Sequence, residues 1–75
     1  MSDVTGEILR VKNALSKNLK LIRRSKSLAQ ERLAFEAGVD RTVVSKIERQ
    51  VANPSLEILV RLAVTLDVPV TDLLK

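Results

Sequence analysis

The stretch Gln30–Arg49, QERLAFEAGVDRTVVSKIER, constrains the fold more than any other part of the chain. Leu33, Ala34 and Ala37 recur at helical spacing, Gly38 interrupts them, and Val44 and Ile47 resume the pattern. The spacing predicts a helix over 30–37, a turn at Gly38-Val39-Asp40 and a second helix over 41–49. Gly38 suits the left-handed conformation that ends a helix. Asp40 suits the cap of the next one, because its carboxylate accepts from exposed amides and favours the positive helix end. Ala34 is small enough for a close crossing. On two steeply crossed helices Leu33, Ala34, Ala37, Val39, Val44 and Ile47 face one another and the core. Arg41, Thr42, Ser45 and Lys46 share the outer face of the second helix.

The rest of the chain supplies the core around this pair. Ile8, Val11, Leu15, Leu19 and Ile22 recur at spacings of three and four, which predicts one long first helix. It starts from a cap at Asp3 or Thr5, leaves Met1 and Ser2 frayed, and runs to about Ser25. Its first half exceeds what a compact domain needs. It extends the core, arms a dimer interface or is partly disordered. Arg23, Arg24 and Lys26 complement the helix dipole at the C-terminal end. Ala29 is a poor cap for the second helix, and Ser27 offers an alternative start. Ser55 is a good cap for a helix over 56–66, with Leu56, Leu59, Val60, Ala63 and Leu66 on its inner face. Ile58, Leu62 and Val64 fall off that stripe. A last helical turn follows over 70–74. The expected architecture is all-α, five helices with an extended first helix and no strands. It forms one domain over residues 1–75, with an N-terminal extension over about 1–13.

Composition narrows the function. The chain has no cysteine and no histidine, which excludes zinc sites, disulfides and Cys or His nucleophilic chemistry. The carboxylates are scattered, so no enzyme activity, metal or cofactor is expected. Phe35 is the only aromatic residue, too few for a base-stacking platform. No apolar run approaches the roughly 20 residues of a membrane span, and the N-terminus lacks a signal-peptide core. A cytoplasmic protein without membrane contact is expected. Charge is uneven. Between Arg10 and Arg32 eight basic residues face the single acid Glu31, whereas Gln50–Lys75 carries a net charge of −1. Two readings fit the basic region, a polyanion-binding surface or an ordinary solvated helix face.

Two helices about a tight turn make the pattern of a helix-turn-helix, whose second helix enters the DNA major groove. Several features in register carry a wider resemblance: LeuAla at 33–34, Gly38, AspArgThr at 40–42, IleGluArg at 47–49 and AsnProSerLeu at 53–56. Over about Leu19–Leu74 the chain resembles the lambda-repressor/Cro, or Xre, type of helix-turn-helix protein. The run AspArgThr-x-x-Ser-x-IleGluArg also resembles the small controller proteins of restriction–modification systems. Three features depart from the pattern: Gln50 replaces the usual glycine, Ala29 replaces a capping residue that often touches phosphate, and the N-terminal extension has no counterpart.

The resemblance implies a homodimer on double-stranded DNA with a two-fold symmetric operator. It places Arg41, Thr42, Ser45 and Lys46 at the bases. Arg41 can reach guanine O6 and N7 with two bonds, and Thr42 can bond a base edge or meet a thymine methyl. Val43 packs on a thymine methyl or in the core. Gln30, Arg49, Asn53 and the amides around Gln50 are candidate phosphate contacts. Lys17 and Lys26 are further candidates, or provide only long-range attraction. The resemblance also implies an ion pair between Arg23 and Glu48 that orients the recognition helix. Ile58, Leu62, Val64, Val70 and Leu74 are the candidate dimer surface, unless the N-terminal extension covers them within one chain.

The expected function is therefore a sequence-specific transcriptional regulator acting as a homodimer. One alternative is the antitoxin of a toxin–antitoxin pair, which also binds a toxin protein. Another is a protein-interaction module that has lost DNA binding.

Overall fold

A computed structural model describes residues 3–75; the frayed Met1 and Ser2 expected from the sequence lie outside them. The first helix, α1, spans Val4–Ser25. Asp3 stands at its N-cap, where its carbonyl, not its carboxylate, accepts the Glu7 amide at 2.9 Å. Leu15 and Leu19 of the apolar stripe are buried, and Val11 and Ile22 are half-buried. Ile8 is exposed, so the first half of α1 stands away from the core. At about 1.5 Å per residue this helix accounts for most of the molecule's 40 Å longest dimension.

Three further α-helices follow: α2 (Gln30–Ala37), α3 (Val43–Glu48) and α4 (Leu56–Leu66). Leu33, Ala34, Ala37, Val44 and Ile47 are buried together and Val39 is half-buried beside them. α1 packs on α3, and α2 packs on both α3 and α4. The described residues form no strand. The segment Val70–Leu73 closes the chain as a 3-10 turn, so the architecture is four α-helices and one such turn, not five helices. Its amides reach back three residues, Asp72 to the Pro69 carbonyl and Leu74 to that of Thr71, and the run is too short to convert to α geometry.

Two other expectations are corrected. α3 begins at Val43, not Arg41. The Asp40 carboxylate accepts from the Thr42 amide at 2.9 Å and its hydroxyl at 2.7 Å. That local competition holds residues 40–42 as a turn. In α4 the buried stripe is Leu59, Leu62, Ala63 and Leu66, while Leu56 and Val60 are exposed. Leu62 is fully buried in the core, at regular helical spacing between Leu59 and Leu66, and has no surface to offer a second chain. Ile58, Val70 and Leu74 are half-buried and Val64 is exposed.

All four helices end alike. One residue at or just after each C-cap takes a positive φ: Ser27 at 57°, Gly38 at 70°, Gln50 at 64° and Asp67 at 59°. In each, the next amide reaches back to the carbonyl five residues earlier, as Val51 does to Lys46 at 3.0 Å. This is the Schellman closure. Ser27 thus terminates α1 and does not start α2, which begins at Gln30 with Ala29 as an N-cap that makes no side-chain bond.

Candidate nucleic-acid interface

The bonds that fasten α3 converge on its last residue. Glu48 has a side chain only 2% exposed and Arg23, across from it on α1, one 9% exposed. The Arg23 Nε and Nη2 atoms donate to the two Glu48 carboxylate oxygens at 2.7 and 3.0 Å. Arg23 Nη1 donates to the Leu28 carbonyl at 2.6 Å, which ties the α1–α2 connection to the same pair. Gln30 Nε2 donates to Glu48 Oε1 at 3.0 Å. The Ser16 hydroxyl donates to the Glu48 backbone carbonyl at 2.6 Å, satisfying one of the carbonyls a helix leaves open at its end. Burial pushes the Glu48 carboxyl up, but the bonds from Arg23 and Gln30 and the nearby charges of Arg23 and Lys20 outweigh it and hold it below its ordinary range. The Arg23 guanidinium is correspondingly raised, chiefly by its bonds to Glu48. No buried side-chain polar atom among the described residues lacks a partner.

The other end of α3 faces solvent. Arg41 and Thr42 are exposed in the turn before it, Lys46 is exposed one turn later, and Ser45 is half-buried. A shallow depression brings all four together with Arg49 and with Gln30 at the start of α2. Its formal charge is positive, Arg41, Lys46 and Arg49 against Glu31. Arg49 folds back along α3, its Nε 3.2 Å from the Ser45 hydroxyl. Among the described residues the terminal guanidinium nitrogens find no hydrogen-bond partner. The bonds from the Thr42 hydroxyl and amide hold the exposed Asp40 carboxyl below its ordinary range, so it stays charged beside Arg41.

The remaining candidates are elsewhere. Val43 is half-buried against the core. Lys17 is exposed on α1 and Lys26 caps its C-terminus, both outside the depression. The Gln50 side chain donates to Asn13 Oδ1 at 3.3 Å. Asn53 lines a separate apolar groove beside the first half of α1. Ser16 escaped the sequence reading. Its signal is position: it lies next to Leu15 and seven residues before Arg23, on the buried side of α1. Among the described residues no helix is long and apolar enough to cross a membrane, and no cluster of acidic side chains could hold a metal ion.

Comparison with known proteins fits this layout. The helix-turn-helix family model HTH_3 matches residues 19–73. The transcriptional regulator SlrR of Bacillus subtilis is 41% identical over 56 residues, 73% of this chain but 37% of its own length. The control protein C.SmaI of Serratia marcescens is 34% identical over 74 residues, 99% of this chain and 88% of its own. The crystal structure of the restriction–modification controller protein C.AhdI from Aeromonas hydrophila superposes with a TM-score of 0.79 at 37% identity, covering 83% of this chain and 94% of that one. A positive, solvent-facing α3 locked by its far end, on a chain matched over most of its length by this model, has one reading: the chain belongs to the HTH_3, or Xre-type, helix-turn-helix family of DNA-binding transcriptional regulators.

Proposed function

We propose that this chain is a sequence-specific regulator that binds double-stranded DNA as a homodimer, and that it is a controller of a restriction–modification system. The observation that carries the reading is the shared depression. Arg41, Thr42, Ser45 and Lys46 lie on one exposed face with Gln30 and Arg49 at its edges. In this reading Arg41 makes paired bonds to a guanine and Thr42 meets an adjacent base edge or methyl. Ser45 and Lys46 read one turn further along. Gln30 presents a remaining amide hydrogen, and the first amides of α2, to a phosphate, and Arg49 offers its outer nitrogens to another. Lys17 and Lys26 contribute attraction over a longer range. The controller assignment is supported by C.SmaI, which matches nearly the whole chain, and by C.AhdI.

Residues 1–75 act as one DNA-binding unit here. Two such units on a two-fold axis read half-sites about 34–36 Å apart. Selection of bound sites from random duplex DNA, with the stoichiometry of the complex measured alongside, tests this. A symmetric consensus holding two chains is the expected result. An asymmetric site holding one chain, or no consensus, contradicts it.

A further inference from the structure

The first half of α1 carries apolar surface that the chain's own core leaves open. Val4 is 70% exposed, Leu9 60% and Ile8 46%. Val4, Ile8 and Val11 form one wall of an open groove whose other wall includes Pro54, Leu59 and Leu74. No residue of this groove lines the depression around Arg41, so an occupant leaves that face free. Contiguous apolar surface of this kind on a small domain marks an interaction site.

The spacing identifies the occupant. Val4, Ile8, Val11 and Leu15 follow one another by four, three and four residues, the seam spacing of paired helices. Leu15 is buried, so the seam starts in the core and runs out into solvent. Glu7 and Lys12 both border the groove, one on each side of the seam and five residues apart. Glu7 also pairs with Arg10 at 2.6 Å in an exposed bridge along the same helix. When two copies of such a helix pack in parallel, the residue before one seam position faces the flanking residue five places on in the other helix. Glu7 then meets Lys12 of the partner subunit, twice about the axis. Antiparallel packing sets Glu7 against its own copy and Lys12 against its own, both repulsive. The surface is complementary to itself in charge in one arrangement, as a two-fold interface requires.

We propose that a second copy of this chain occupies the groove, the first halves of α1 packing in parallel along Val4, Ile8 and Val11. This rests on the homodimeric reading above and gives it a surface centred on α1, to which Leu59 and Leu74 contribute the facing wall. Sedimentation equilibrium on the full chain and on Ile8→Asp, Glu7→Lys, Lys12→Glu and the double charge swap tests it. Ile8→Asp should raise the dimer dissociation constant at least about a hundredfold, because each dimer loses two buried isoleucines. Each single charge swap should raise it about fivefold, and the double swap should restore it. Since Ile8 is exposed within one chain, Ile8→Asp should keep its helical circular dichroism and its binding to a half-site duplex. A monomeric wild type, an unchanged Ile8→Asp dimer, or single swaps without effect would overturn the proposal. Loss of half-site binding by the wild type would instead strike the DNA-binding reading, so the two failures are distinguishable.

Discussion

At its C-terminal end α3 is held by four hydrogen bonds that other parts of the chain donate to Glu48 and by one that its closing turn donates to Asn13, while the turn before its N-terminal end is shaped by Asp40. The first end is nearly dry: Arg23, Glu48 and Ser16 are all buried. The second is wet, and Arg41, Thr42 and Lys46 are exposed. The same side-chain chemistry therefore has different work at each end. The ion pair Arg23–Glu48 sets where the helix lies, because a buried carboxylate without a partner is costly. The exposed pairs Arg32–Glu36 and Arg61–Glu57 contribute little by comparison. A six-residue helix has too few bonds of its own to hold an orientation. Fixing one end rigidly is what lets the other present bare side chains at a defined position.

That contrast can be broken most strongly at Glu48. Glu48→Ala leaves Arg23 buried and unpaired, and should cost about 3–5 kcal/mol of stability in chemical denaturation. A cost under about 1 kcal/mol would show the pair to be no better than a surface one. The same carboxylate sets a pH dependence. Its pKa is lowered in the folded chain, so its contribution is complete above the unfolded-state value of about 4.3 and is lost as pH falls through the folded value. The stability gap between wild type and Glu48→Ala should therefore narrow below about pH 4.3. A gap that stays constant down to pH 2 would contradict the lowered pKa.

Ser16→Ala removes the buried donor to the Glu48 carbonyl and should cost about 1–3 kcal/mol. A smaller loss would mean water takes the donor's place. The smallest effect is expected at the closing turn. Gln50 holds φ 64° without being glycine, so Gln50→Gly should stabilise the fold by about 0.5–1 kcal/mol. A loss of stability would show that the Gln50–Asn13 bond outweighs the backbone strain.

The core of the helix-turn-helix was legible because its signals agree: helical spacing at Leu33, Ala34 and Ala37, glycine at the turn, and a second apolar pair at Val44 and Ile47. The helix ends were less legible because four left-handed closures use one glycine and three other residues. Ser27 in particular reads as a starting cap and serves as a terminator. α3 begins late because Asp40 bonds to Thr42 locally, a competition that spacing does not reveal. Leu62 reads as an outer residue because α4 is apolar on several sides, and periodicity alone does not say which side meets α2. The base-facing candidates Arg41, Thr42, Ser45 and Lys46 were found as the polar remainder of one helix face. Ser16 was missed since a single serine beside a leucine stripe carries no spacing of its own.

The division between a locked end and a reading end is tested most directly by Arg41→Ala. Its affinity should be measured on the selected operator and on random duplex DNA, with its unfolding free energy taken in parallel. Specific affinity should fall by about 1–3 kcal/mol. Non-specific affinity should fall much less, and stability should change by no more than about 0.5 kcal/mol. Equal losses on both DNAs, or a drop in stability matching that of Glu48→Ala, would contradict the division.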